Sequence, residues 1–339
     1  MKGGGSSARI GIASALRGRL TPSTSNALLF VLAALLALVI LPGRLRLLDL
    51  DRSKAPQHAG AASQSILAYN ALMAPLLFPQ LYPECGRVVL PPVPTDATMV
   101  EHSKSQHGED KILRERFFKD YASPGVFLEI GALDGVTYSN TFSFEHALGW
   151  RGILVEAQPH NGAELRKANR SRAAVFTSAA CAIPDLASPG QLRFSTGGGA
   201  VATALDHAAP SFLEHWGGWL GQGHHNVPCV PLQYFIDATG LWDIDLFSLD
   251  VEGGERVVLE TVDLARTNVK VLMVELDEHS PEKNEWIRKH LKGAGFEHLG
   301  GSFMENQRNE VFVNPRFEER KAARARLPIQ CDGGEGSAE

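Results

Sequence analysis

The spacing of apolar positions divides the chain into zones. Residues 27–41, ALLFVLAALLALVIL, form an unbroken apolar run. Beyond it, to about residue 100, apolar stretches are interrupted by Pro75, Pro79, Pro83, Pro91, Pro92 and Pro94. Proline fixes φ and removes a backbone donor, so regular core elements are not expected there. The segment SILAYNALMAPLLF (65–78) is the exception, apolar enough for a helix packed on the folded domain. From about Gln106, short apolar runs alternate with amphipathic stretches. Ile112, Leu113, Phe117 and Phe118 make a helical stripe. VFLEIG (126–131), GILVEA (152–157), AAVFTSAAC (173–181), DLFSLDVEGGE (245–255, at its start) and VKVLMVELD (269–277) read as strands. Helices are expected between them, one capped by Ser139 or Asn140 and one closed by Gly293 or Gly295. FEHLGG and NEVFVN read as a closing hairpin. Apolar strands alternating with helices predict an α/β fold, a mostly parallel sheet covered on both faces with one antiparallel edge.

In such a sheet the ligand sits at the carboxyl ends of the strands, where strand order reverses. The first strand ends at Gly131 and runs into GALDG. Gly131 and Gly135 would let a backbone approach a ligand closely. The loop lacks G-x-G-x-x-G and a lysine, and Asp134 would repel phosphate. It suits a cofactor with a cationic or neutral head, such as S-adenosylmethionine, or else it is a plain strand-to-helix turn. Glu156 ends the second strand 25 residues after Gly131, near the separation at which an acid accepts ribose hydroxyls. In a 3-2-1-4-5 sheet, Asp250 and Glu252 would lie beside the first loop, able to orient a hydroxyl, bind a metal or act as base; alternatively they cap a helix. Glu275, Asp277 and His279 end the fifth strand likewise. The glycine-rich stretch 195–229 reads as a mobile cover or an ordinary surface loop. In the first case Trp216 and Trp219 would stack on a sugar, and His224 or His225 would take a proton from a hydroxyl.

Composition adds limits. Apolar residues make up 44% and charged residues 21% of 339 residues, enough for a sizeable core. A net charge of -5 gives no reason to expect nucleic acid. Cys85, Cys181, Cys229 and Cys331 lack C-x-x-C spacing, which argues against zinc, and no metal is expected. They are buried thiols, or disulfides in an oxidising compartment. No acid precedes Asp49, while Lys2, Arg9, Arg17 and Arg19 precede the apolar run. With its flanks the run reaches the lower length limit of a membrane span, about 17 residues. The organisation expected is a tail (1–26), a transmembrane signal anchor (27–43), a Pro-rich stem (44–102), a catalytic domain (103–316) and a polar tail (317–339). A cleaved signal peptide or an organellar transit peptide would also fit the first fifty or so residues.

The blocks QHGEDKIL, GVFLEIGALDGVTYSNTFSFEHALGWRGILVEAQP and DLFSLDVEGGE resemble the FkbM-type methyltransferase family. The resemblance spans roughly 103–314. It implies a Rossmann-like methyltransferase fold with a mostly parallel seven-stranded sheet and an antiparallel edge hairpin. It further implies S-adenosylmethionine as cofactor, lined by Glu129, Gly131, Asp134, Asn140 and Glu156, to which the loop itself adds Gly135. Asp250, Glu252 and His224 are the catalytic candidates on the acceptor side. The expected activity is O-methylation of a glycan or glycolipid hydroxyl by a type II membrane protein of the Golgi or endoplasmic reticulum. The sequon Asn169-Arg170-Ser171 is compatible with a luminal domain. The rival expectation comes from animal single-pass membrane proteins resembling this domain: a non-catalytic role in cargo export.

Overall fold

The computed structural model describes residues 74–87, 89–93, 99–183, 190–300, 304, 308–324 and 331, all within the compact unit Gly60–Glu339. The tail, the proposed anchor at 27–43, the stem up to residue 73 and most of 325–339 lie outside the described residues. Among the described residues, no helix is long and apolar enough to cross a membrane.

The main sheet is built from β1 (Val126–Ile130), β2 (Arg151–Val155), β3 (Ala173–Phe176), β7 (Asp243–Leu249), β8 (Asn268–Glu275), β9 (Glu297–His298) and β10 (Asn309–Val313). Their order across the sheet is β3-β2-β1-β7-β8-β10-β9. The first five in that order are parallel to one another, and β10 is antiparallel to both its neighbours. This is the expected sheet with its antiparallel edge. Alternation along β1 sends Phe127 and Leu128 to opposite faces, each into its own apolar cluster. Both faces are thus covered, which is why the strands read as continuous apolar runs. The chain leaves β1 toward β2 and β3 and returns on the other side as β7. The order therefore reverses between β1 and β7, and a crevice opens at their carboxyl ends.

A second layer was not anticipated. The run AAVFTSAAC is not one strand. It breaks after Phe176, and β4 (Ala179–Ala180) joins a three-stranded sheet with β5 (Gly190–Ser195) and β6 (His224–Val230), in the order β4-β6-β5. The Cys181–Cys229 disulfide staples this sheet. The stretch 195–229 therefore contains a helix, Pro210–Trp216, and a strand.

The folded body also extends past the expected boundaries. Ala74, Leu81 and Tyr82 of the stem are in the core. Tyr82 Oη donates to the Thr239 carbonyl (2.5 Å), and Arg151 donates to the Leu81 carbonyl. Cys85 is disulfide-bonded to Cys331. The helix Phe317–Arg324 packs on the sheet through buried Phe317, whose carbonyl accepts from Asn268 Nδ2 (3.0 Å). Glu109 and Asp110 of QHGEDKIL are buried and structural. Asp110 accepts from the hydroxyls of Ser103, Ser105 and Ser143.

Candidate functional site

Glu129 is the lone charged residue in β1, and its burial demands partners. It has them. Asn140 N donates to Oε1 (2.7 Å), and the hydroxyls of Ser139 (2.8 Å) and Thr141 (2.6 Å) donate to Oε2. Arg170, buried beside it, bonds Glu145 (2.6 Å), the Gly135 carbonyl (2.8 Å) and Thr141 Oγ1 (2.8 Å). The loop after β1 is thus wound around a buried carboxylate and a buried guanidinium.

The two glycines of this loop do their work against the protein. Gly131 has φ +87°, and a Cβ there would lie 1.7 Å from the Asp250 carbonyl oxygen. Gly135 has φ +80°, and its Cβ would meet Leu165 at 2.5 Å. The missing side chains let the loop seat against β7 and the helix Pro159–Leu165, where the sequence suggested approach to a ligand. Asp134 likewise bonds within its own loop. Its carboxylate accepts from Val136 N (2.9 Å), Thr137 N (2.6 Å) and Thr137 Oγ1 (2.7 Å). Burial pushes its pKa up, but these bonds more than offset that and leave it below the ordinary value.

A cavity of about 310 Å³ lies at the carboxyl ends of β1, β2, β7 and β8. Of the residues singled out from the sequence, Glu129, Gly131, Asn140, Glu156, Asp250 and Glu252 line it; Asp134, Gly135 and His224 do not. His224 is exposed and pairs with Ser195 on the second sheet. Glu156 is buried and accepts from Leu133 N (2.9 Å) and Gln158 N (2.7 Å). Burial still pushes it up to about 7. Asn140 Nδ2 donates to Ser248 Oγ (3.1 Å), while its Oδ1 is buried with no hydrogen-bond partner.

The opposite wall is acidic. One carboxylate oxygen from each of Asp250, Glu252 and Glu275 lies within 4.8 Å of the others. Burial, then the nearby Glu252, pushes Asp250 up to about 8. Burial, then Glu275 and Glu255, pushes Glu252 up to about 9. Burial, then Asp250, raises Glu275 well above the ordinary value. The neighbouring acids Glu255 and Asp277 share one cation, Lys283, at 2.5 and 3.1 Å. Glu252 also sits at φ +57°, as Leu133 does at +50° and Tyr138 at +60°. All three line the cavity. Left-handed non-glycine residues cost about 1–3 kcal/mol each and gather where function holds them.

The second layer supplies residues the sequence did not single out: His207, Phe212 and His215, beside Trp216. His207 Nε2 is buried and without a partner. Trp219, paired with Trp216 in the sequence reading, is exposed and outside the cavity. The sequence does carry one usable signal here, a proline opening APSFLEHW, as at the first position of a helix.

The lining fits the cofactor that the sequence suggested. Among its described residues are seven carboxylates, one arginine and no lysine, an environment that repels phosphate and favours a cationic head. The orphaned Asn140 Oδ1 offers an acceptor to an ammonium or hydroxyl donor. A cavity of about 310 Å³ lies within the usual range for small-molecule sites.

A match to a known protein family agrees. The family described as "Methyltransferase FkbM domain" matches residues 129–298, half of the chain. No curated protein matches. Among solved structures, precorrin-6y C5,15-methyltransferase from Geobacter metallireducens GS-15 is 12% identical, with 58% of this chain and 75% of that chain covered and a TM-score of 0.31. The O-methyltransferase from Bacillus cereus, in complex with SAH, is 14% identical, with 84% and 97% covered and a TM-score of 0.32.

Proposed function

The chain belongs to the FkbM methyltransferase domain family and is an S-adenosylmethionine-dependent methyltransferase; from that premise we propose that it methylates a hydroxyl oxygen of a glycan or glycolipid, as a type II membrane protein facing a secretory lumen. The acidic cavity carries this reading. Its Glu129–Asn140–Glu156 wall is the cofactor side, with Glu156 taking the ribose hydroxyls and Asn140 Oδ1 taking a donor. Gly131, Asp134 and Gly135 support that wall by shaping its loop. When bound, the cofactor supplies a methyl group already activated by a sulfonium. The protein's task is to hold an oxygen in line with it.

Asp250 and Glu252 orient the acceptor hydroxyl from the opposite wall. His207, in the place reserved for His224, has a free ring nitrogen to take the proton. Bound there, the cofactor would supply the methyl group and its sulfur would keep the electron pair of the carbon–sulfur bond; Asp250 and Glu252 would hold the acceptor oxygen, and His207 Nε2 would receive the hydroxyl proton. Trp216 gives the cavity an aromatic face for a sugar ring.

Both disulfides support an oxidising compartment. Asn169 of the sequon is exposed, accessible to glycosylation. The apolar run 27–41 is the anchor in this reading.

The activity is tested by incubating the full chain with methyl-labelled cofactor and a panel of oligosaccharides and glycolipids. Label in an O-methyl ether, lost in Glu156→Ala, is expected. Label on nitrogen or on protein would overturn the acceptor class. Endoglycosidase treatment of isolated membranes should shift the mobility of the wild type and not of Asn169→Gln; an unshifted wild type removes the luminal assignment.

A further inference from the structure

Asp250 and Glu252 follow β7 and Glu275 ends β8. Pairing of β7 with β8 brings acids 25 residues apart in sequence to one wall of the cavity. Their nearest oxygens lie within 4.8 Å of one another. Around one ion with metal–oxygen bonds of about 2.1–2.5 Å, two ligand oxygens are separated by at most about 4–5 Å. The spacing is that of a shared ligand set.

The acids of this set face one another, and a side-chain hydrogen bond joins Asp250 to Glu275. Glu275 lines the cavity, and its Oε2 is buried with no hydrogen-bond partner. Glu255, one turn away, is fully satisfied by Val251 N, Gly253 N and Lys283. Asp277 takes Lys283 and His279 N. Lys283 is thereby committed to Glu255 and Asp277. Arg308 attracts Glu252 but does not cancel its burial and repulsion. Like charges this close are costly, and they are relieved either by holding protons, as the raised pKa values of all three acids show, or by a cation that joins them.

We propose that Asp250, Glu252 and Glu275 form a binding site for one hard divalent cation of the magnesium or manganese class. The donors are all carboxylate oxygens, with no thiol or imidazole among them, which selects against zinc and copper. The site opens into the cavity, so its remaining positions face the acceptor. A cation there draws the acceptor oxygen and lowers its pKa, so that the hydroxyl proton leaves to His207 as the oxygen–methyl bond forms. That role rests on the O-methyl transfer proposed above; the binding itself does not.

The test uses the full chain in detergent, stripped with EDTA and titrated with MnCl₂, with free Mn²⁺ followed by electron paramagnetic resonance. One Mn²⁺ per chain, displaced by Mg²⁺, is expected. Glu275→Gln and Asp250→Asn should each bind Mn²⁺ at least about tenfold more weakly, because ligand charge sets affinity. Glu278→Gln, an acid of the same lining outside the trio, should bind as the wild type does. Unchanged S-adenosylhomocysteine binding in Glu275→Gln and Asp250→Asn shows that each is folded. No Mn²⁺ bound by the wild type, or wild-type Mn²⁺ affinity in both variants, overturns the proposal. Mn²⁺ bound as expected by a protein that transfers no methyl to hydroxyls would remove the acceptor role and leave the site.

Discussion

Glu129 and Glu275 each lie on a parallel strand beside the same cavity, and the protein treats them oppositely. Around Glu129, three donors from one loop converge on the carboxylate, and a buried arginine closes the shell. Around Glu275 there are other carboxylates, and one of its oxygens is left bare. The first arrangement is a finished piece of architecture: it spends a charge to fix a loop. The second is unfinished in the polypeptide alone. An acid saturated by its own loop builds the site, and an acid facing other acids awaits a ligand.

The sharpest way to break the finished side is Arg170→Met. It strands Glu145 and Glu129 in the core, and loss of one partner of a buried ion pair costs about 3–5 kcal/mol. Urea denaturation of wild type and variant measures this; a loss below about 1 kcal/mol, the range of exposed pairs, would mean the pair is solvated in solution. Next is one substitution made on both sides. Glu129→Gln turns an amide donor toward groups that are already donors, and should cost about 1–3 kcal/mol. Glu275→Gln relieves like-charge crowding once its neighbours Asp250 and Glu252 ionise, and at pH 9 or above should raise the midpoint of the metal-free protein by about 2–4 °C, roughly 1 kcal/mol for a domain of this size. Thermal melts in EDTA compare the two; shifts of the same sign would erase the distinction drawn between them.

A further comparison is read by pH at Glu156. Burial raises it from 4.5 to about 7, so the folded protein holds a proton that the unfolded chain has released. The stability of the free protein therefore falls as pH rises from about 4.5 to 7. Ribose hydroxyls favour the ionised form, so S-adenosylhomocysteine affinity moves the other way. With a pKa of about 7, binding at pH 6 should be about tenfold weaker than its plateau above pH 8. Calorimetric titration at pH 6 and 8.5 checks the slope, which should vanish in Glu156→Gln. An unchanged slope in that variant would assign the titration to another group.

Much of the main sheet was legible because its strands are buried on both faces and are mostly apolar. The polar exceptions in those runs marked the site. Glu129 inside VFLEI and the acids after DLFSL could not sit there without a reason. Roles were harder. Gly131 and Gly135 read as places of close approach, and close approach is what they permit. That the approaching groups are the Asp250 carbonyl and Leu165 depends on distant segments. The second sheet left little trace, since β6 (HHNVPCV) is half exposed and holds a proline, and β5 (GQLRFS) lacks an apolar run. His207 was hidden in the same region, and His224, the histidine that stood out, lies on the wrong strand.

By itself, the sequence determined the α/β class and the mostly parallel sheet, and it singled out the first-strand loop, which lines the cavity. These follow from local spacing, which the backbone periods of helix and strand translate directly. The family was equally open to view, since the long block from Gly125 to Pro159 carries it. The tertiary structure alone decided which cysteines pair, which histidine faces the cavity and which acids meet. Each of those depends on residues brought together across a sheet register or between layers, where no local period reports on the neighbour. Glu275 is the plainest case. Along the chain it is one acid at a strand's end, and only the pairing of β7 with β8 sets it against Asp250.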